Sequence, residues 1–203
     1  HVVRCFDDTS VPHPLESVNP QRDIANMDAE LLINDLIAVE RKLERLTEER
    51  KKGAGRDKGM IEREWVLFQR IQETLQQEIP LREMAISAEE EKSLSGFGFL
   101  TRKPMMLLLN LGEGQDAPAI QVERPLLQVV ALQGKLEMDL AHLSAEDAQL
   151  FMGEYGIEEL GLNRVIRLSY DLLGLQSFFT VGEDEVRAWT VRRGASAVEC
   201  AGA

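Results

Sequence analysis

The stretch PMMLLLNLGEG, residues 104–114, determines which fold class the chain is expected to adopt. Its apolar part does not alternate with polar residues, which is typical of a strand buried on both faces in a parallel sheet. A second apolar run, residues 126–132, ends in the same way at Gln133-Gly134-Lys135. Two such strands predict an α/β protein with a mostly parallel sheet.

Each of these two strands is followed by a polar turn that contains glycine. In open α/β sheets, ligands bind beyond the carboxyl ends of the strands. The turns at residues 110–114 and 133–135 therefore predict a ligand site at that edge of the sheet. On the residues alone, the alternative for each turn is an ordinary connection to the next element.

Residues 20–86 carry a helical pattern that predicts an antiparallel hairpin. Asn19 and Pro20 are typical of a helix start, and two glycines at 53 and 55 are typical of its end. Five apolar residues between them recur at steps of four and three, as in a coiled-coil seam: Leu32, Leu36, Val39, Leu43 and Leu46. A second apolar stripe follows before Pro80: Ile61, Trp65, Phe68, Ile71, Leu75 and Ile79.

The loop between the two predicted helices is basic. Residues 50–58 hold five basic side chains and one acid, and the basic ones are Arg50, Lys51, Lys52, Arg56 and Lys58. Four of them, Lys51, Lys52, Arg56 and Lys58, are candidate contacts to RNA phosphates. The alternative is a solvated turn, because the loop contains no aromatic residue that could stack on bases.

The remaining elements follow from local signals. Capping boxes and hairpin turns have recognisable residue spacings. The predicted elements are a strand at residues 2–6, short helices after Ser87 and after Ser144, an amphipathic helix at 162–173, and a β-hairpin formed by 178–180 and 186–191.

Composition excludes several classes of protein. The chain has 23 Lys and Arg against 35 Asp and Glu, a formal net charge of −12, so a contact to nucleic acid requires a local basic patch. Its two cysteines, Cys5 and Cys200, do not form a disulfide framework, and no apolar run is long enough to span a bilayer. A soluble, cytosolic and monomeric protein is expected, without a membrane partner.

Several motifs together resemble one family, the Obg-like ATPases, also called YchF, within the P-loop GTPase superfamily. The matching segments are His1-Val-Val-Arg-Cys-Phe6, Asn19-Pro20 with Arg22-Asp-Ile24, Asn110-x-x-Glu113, Gly161-Leu-Asn-Arg-Val-Ile-Arg167, and Phe178-Phe-Thr-x-Gly182 running into Glu185-Val-Arg-Ala-Trp-Thr190. The resemblance implies part of a nucleotide-binding domain, an inserted coiled-coil hairpin and the start of a β-rich TGS domain. The expected segments are 1–19 and 87–175 for the nucleotide-binding domain, 20–86 for the hairpin and 176–203 for the TGS start.

The resemblance also implies a reaction, the hydrolysis of a nucleoside triphosphate with Mg²⁺. No G-x-x-x-x-G-K-[ST] motif occurs in the sequence. Because the first residue is His1 and not Met, we expect the chain to be an internal segment, with the phosphate-binding loop and the Mg²⁺ ligands upstream. Such a segment alone is expected to be inactive.

In this superfamily the base is read by N-K-x-D and by a second loop, S-A-K in many members. The corresponding residues here are Asn110, Leu111, Gly112 and Glu113, and in the second loop Gln133, Gly134 and Lys135. Because Glu replaces the Asp that pairs with guanine, the resemblance implies a preference for ATP over GTP. Gly134 is expected to allow close approach of the base.

His13, between Pro12 and Pro14, matches a loop histidine that the family resemblance associates with activation of the attacking water. A neutral imidazole can act there as a general base or can orient the water. The alternative is a solvated loop histidine. For the whole chain, the rival to a ribosome-associated nucleoside triphosphatase is a non-catalytic interaction module whose hairpin and TGS start bind RNA or protein.

Overall fold

The computed structural model describes residues 1–52, 57–120, 124–154, 157 and 159–202. Arg56, one of the candidate RNA contacts, lies outside these ranges. The chain divides into two compact units. The first comprises His1–Pro20, Met105–Ile120 and Leu127–Ala203, and the second comprises Gln21–Pro104 and Gln121–Leu126.

The described part of the chain contains both strands and helices. The strands are β1 (Val2–Arg4), β2 (Met105–Asn110), β3 (Leu127–Leu132), β4 (Leu175–Val181) and β5 (Val186–Arg192). The α-helices are α1 (Pro20–Lys52), α2 (Lys58–Gln76), α3 (Ala88–Leu94), α4 (Gly134–Ala141), α5 (Ala145–Glu154), α6 (Gly161–Leu173) and α7 (Ala197–Ala201). A 3-10 turn spans Leu81–Glu83. In the ranges given above, none of the helices is both long enough and apolar enough to cross a membrane.

A parallel sheet with the order β1-β2-β3 organises the first unit. Val3, Leu107, Leu109 and Val130 are buried in it, which explains why the strand sequences are apolar without alternation. This confirms the predicted α/β class. The sequence predicts a strand at residues 2–6, but β1 ends at Arg4. The Cys5 N–H still donates to the Asn110 carbonyl at 2.9 Å.

An antiparallel two-stranded sheet, β4 paired with β5, confirms the predicted hairpin near the end of the chain. The Gly182 N–H donates to the Glu185 carbonyl at 2.9 Å and closes its turn. The helix before it, α6, ends at Gly174, which has φ 62°. A glycine adopts this left-handed conformation without the steric cost of a Cβ atom.

Helices α1 and α2 form the core of the second unit, and the predicted seam is confirmed. Val39 and Leu46 from α1 and Phe68 and Ile71 from α2 are fully buried in one apolar cluster. The predicted helix up to Pro80 is too long: α2 ends at Gln76. Ile79 lies beyond it and is exposed, because the chain turns and the Ile79 N–H bonds back to the Thr74 carbonyl.

Residues 87–104 belong to the same compact unit as the hairpin, whereas the expected hairpin segment ends at residue 86. The Ser87–Glu90 capping box forms at the start of α3, as predicted. Beyond α3, the Phe97 ring lies 4.9 Å from Phe68 and 5.5 Å from Phe99, between ring centroids. These aromatic contacts join the segment after α3 to the core of the hairpin.

A buried carboxylate, Asp35, connects α1 to the same segment. The residue is 1% exposed. Its Oδ1 accepts from the Leu100 N–H at 2.9 Å, and its Oδ2 accepts from the Thr101 N–H and Oγ1–H, each at 2.7 Å. Thr101 Oγ1 in turn accepts from the Leu81 N–H at 3.2 Å. A buried charge is tolerated where donors surround it in this way.

We predict that Asp35→Ala lowers the free energy of unfolding by about 3 kcal/mol, because two buried backbone donors and the Thr101 hydroxyl lose their acceptor. Asp35→Asn should cost less, since one amide oxygen still accepts. Urea denaturation followed by far-UV circular dichroism measures both. Glu44→Ala, an exposed acid on the same helix, is the control. A loss at Asp35 no larger than the loss at Glu44 would contradict the role of this network.

Candidate functional site

The two turns predicted to bind a ligand lie together at one cavity of the first unit. The cavity has a volume of about 590 Å³. Leu111, Glu113, Gln133 and Lys135, all candidate base-binding residues, line it. The parallel register that places Asn110 beside Leu132 brings the two turns to the same edge of the sheet.

Asn110 connects the two turns directly. It is the last residue of β2, and its Oδ1 accepts a hydrogen bond from the Gly134 N–H at 2.9 Å. A Cβ atom at residue 134 would lie only 2.7 Å from this oxygen. The Asn110 side chain therefore lies close against Gly134, and the expected approach of the base stays a prediction. The Nδ2 amide of Asn110 keeps its two hydrogens for donation.

The turn after β2 is held by a residue that sequence reasoning missed. The Gln115 Oε1 accepts from the Gly112 N–H at 2.9 Å, and its Nε2 donates to the Cys5 carbonyl at 2.6 Å. This side chain therefore ties the turn to the chain that follows β1. No local pattern marks it, because its two partners are brought together only by the sheet.

The side chains of the first turn differ in exposure. Leu111 is 8% exposed, so its apolar side chain forms part of the cavity wall. Glu113 lies two residues further on and is exposed, with its carboxylate at the rim. This division allows Leu111 to contact an apolar ligand face while Glu113 accepts hydrogen bonds.

The rest of the cavity lining comes from the segment after β3 and is mostly apolar, with one acid, Asp139. The acids of residues 137–159 suggest a solvated face on the sequence alone. The structure shows that the same segment also supplies much of the cavity lining: Leu136, Leu140, Leu143, Phe151 and Ile157. A flat apolar ligand with a polar edge fits a pocket with this distribution of groups.

His13 lies in the loop after β1 and is half-buried. Its Nδ1 accepts from the Leu15 N–H at 3.1 Å, and its carbonyl accepts from the Glu16 N–H at 2.9 Å. A neutral histidine that accepts at Nδ1 carries its hydrogen on Nε2. The role of His13 toward the attacking water, as general base or as orienting group, stays a prediction.

The basic end of the hairpin is partly neutralised by its own acids. Lys51 Nζ lies 3.1 Å from Glu48 Oε1, and Arg50 Nε lies 3.1 Å from Glu62 Oε2. Lys58 is the exposed first residue of α2. Lys52 ends α1, and its side chain is outside the described part of the chain, as is the whole of Arg56.

Comparisons with known proteins match the whole chain to curated relatives. The chain is 34% identical over 212 residues to the "Ribosome-binding ATPase YchF" of Bacillus subtilis (strain 168), and the match covers 100% of this chain and 57% of that protein. It is 39% identical over 209 residues to the protein of the same name from Escherichia coli O157:H7, covering 100% of this chain and 56% of that protein. The chain thus spans slightly more than half the length of these relatives.

A solved structure and a family model of the YchF type also match the chain. The structure of the Schizosaccharomyces pombe YchF GTPase matches with a TM-score of 0.80 and 27% sequence identity, over 99% of this chain and 56% of that chain. The family model YchF-GTPase_C, described as "Protein of unknown function (DUF933)", matches residues 175–203. On the whole-chain sequence identity to these relatives and the match to the solved structure, the chain belongs to the YchF family.

Proposed function

We propose that the cavity at the ends of β2 and β3 binds the base of a nucleoside triphosphate, and that the protein hydrolyses this nucleotide as a switch on a ribosomal partner. The observation that carries the proposal is the hydrogen bond from the Gly134 N–H to Asn110 Oδ1, which fixes both turns at one cavity. The names of the relatives, ribosome-binding ATPase and GTPase, support it.

The polar groups of the site favour adenine over guanine. The Asn110 Nδ2 can donate to the N7 atom of the base, and the second lone pair of its Oδ1 can accept from the 6-amino group of adenine. Glu113 is one methylene longer than the aspartate that pairs with guanine, so its carboxylate is displaced by more than about 1 Å, enough to weaken a hydrogen bond. ATP is therefore the preferred substrate.

The phosphate end of the reaction requires groups that this sequence does not contain. Phosphoryl transfer depends on a phosphate-binding loop and on Mg²⁺, which neutralises the developing charge. Over the described ranges, no three His, Cys, Asp or Glu side chains are grouped to hold a metal ion. The described residues are therefore suited to bind the nucleotide base and not to hold Mg²⁺. No step of the reaction is assigned to the metal.

We expect Glu113→Asp to raise GTP affinity relative to ATP about tenfold, because the shorter carboxylate meets the two donors of guanine. On the motif alone, Glu113→Asp would be combined with Leu111→Lys to restore the guanine-binding pattern. Leu111 is buried, however, and a lysine at this position would lose its hydration. Competition between the two nucleotides for the full-length gene product measures the ratio. Asp116→Glu, an exposed acid nearby, is the control. An unchanged ratio in Glu113→Asp would remove Glu113 from the base site.

His13→Ala should slow hydrolysis about 100-fold if this histidine orients the attacking water through its Nε2–H. Nucleotide affinity should stay near the wild-type value, because the base contacts are made by other residues. Single-turnover hydrolysis and equilibrium binding of the full-length gene product separate the two effects. His142→Ala, at the end of α4, serves as the control. A normal rate in His13→Ala would mean that His13 is a solvated loop residue.

For the ribosomal partner, we propose that the hairpin end and the TGS start contact RNA. Replacing Lys51, Lys52, Arg56 and Lys58 with Ser should weaken association and flatten its salt dependence, because each lost phosphate contact removes about 0.7 to 0.9 from the log–log slope. A salt series of ribosome binding measures this slope. The matched control changes Arg41 and Arg45, exposed on α1 away from the loop.

The same experiments distinguish the proposed function from the rival one, a non-catalytic interaction module. If the slope of the four-residue variant equals that of the control, the basic loop is a solvated turn. If ribosome binding persists while the full-length protein neither binds nor hydrolyses nucleotide, the chain belongs to a non-catalytic interaction module.

A further inference from the structure

The first turn of α4 is tied to another helix by the carboxylate of Glu137. Glu137 Oε1 accepts from the Gly161 N–H at 2.8 Å, at the first residue of α6. Leu160, which precedes α6, offers no side-chain cap. Glu137 therefore supplies an acceptor that the helix start lacks, and its negative charge lies at the positive end of the α6 dipole.

Gly161 is shaped for this contact. A Cβ atom at residue 161 would lie 2.6 Å from Glu137 Oε1 and 2.9 Å from its Cδ, and the glycine itself is buried. Any other residue would have to displace the carboxylate. The sequence suggests only a solvated acid at Glu137, whereas the structure places it between two helix starts.

Glu137 is one link in a set of contacts that surrounds the candidate base site. On one side, the start of α4 is bound to the end of β2 by the Gly134–Asn110 hydrogen bond. On the other side, α6 is bound to β3, because Arg164 Nη2 donates to the Ala131 carbonyl at 3.2 Å. The Glu137–Gly161 bond completes the connection from α4 to α6. The start of α4 is thus held from two directions.

We infer that Glu137 is a positioning residue for the nucleotide base, an inference that rests on the proposed function. Lys135 and Leu136, its neighbours in the first turn of α4, line the cavity, while the Glu137 carboxylate is directed to Gly161. Without this anchor, the first turn of α4 loses its tie to α6 and keeps the Gly134–Asn110 bond. Glu137 acts on the base through Lys135 and Leu136.

The test compares two substitutions in the full-length gene product. Glu137→Ala should raise the KM for ATP about tenfold and leave kcat within about twofold, because it removes one charge-assisted hydrogen bond that supports the base site. Glu137→Gln should stay near wild type, since its amide oxygen can accept the same bond. Glu146→Ala, also an acid in the first turn of a helix, is the matched control and should behave as wild type.

Amide hydrogen exchange of the full-length gene product supplies a readout that does not depend on activity. Exchange at Gly161 and Gly134 should accelerate in Glu137→Ala and not in Glu137→Gln. An unchanged KM in Glu137→Ala, or a Glu137→Gln that is as impaired as Glu137→Ala, would overturn the inference. If the wild-type protein does not bind ATP, the proposed function fails, and the inference fails with it. An unchanged KM in a variant of an active wild type refutes only the role of Glu137.

Discussion

The parallel pairing of β2 with β3 is the constraint on which the candidate site depends. Its register places Asn110 beside Leu132, so both strands end at the same level and their turns emerge side by side. A slip of two residues would move Asn110 about 7 Å along the sheet, at 3.3 Å per residue, and out of reach of Gly134. The site is thus a product of strand register, and the burial of Leu107, Leu109 and Val130 is what stabilises that register.

The second unit depends on polar contacts inside an apolar core. An apolar seam with a heptad-like repeat does not by itself fix the register of two neighbouring helices, because a shift by one turn brings equivalent leucines into contact. The Asp35 carboxylate accepts hydrogen bonds from Leu100 and Thr101, far along the chain, and Lys42 pairs with Glu64 at 2.5 Å. A register shift would separate the buried carboxylate from the Leu100 and Thr101 donors. These contacts therefore select one arrangement of the hairpin among several that are similarly apolar.

The features that the sequence predicts are those with local signals. The apolar runs of β2 and β3, the seam of α1 and the Ser87 capping box each lie within a few residues of chain, and the structure contains all of them. Asp35 and Gln115 are different, because their partners lie 65 and 110 residues away. Contacts between residues so far apart leave no periodic pattern in the sequence, so they are seen only in the folded structure. At Gly134 the sequence predicts a close approach of the base, whereas the contact that the structure shows there is with the Asn110 side chain, 24 residues away.

The stacking of Arg50 on Trp65 has a consequence for how the hairpin can be observed. The Arg50 Cζ lies 4.1 Å from the centroid of the indole ring, and the same guanidinium is paired with Glu62. A cation this close to the face of an indole alters the emission of the ring. Trp65 is therefore an intrinsic optical reporter, and any partner that draws Arg50 away changes its fluorescence without an added label.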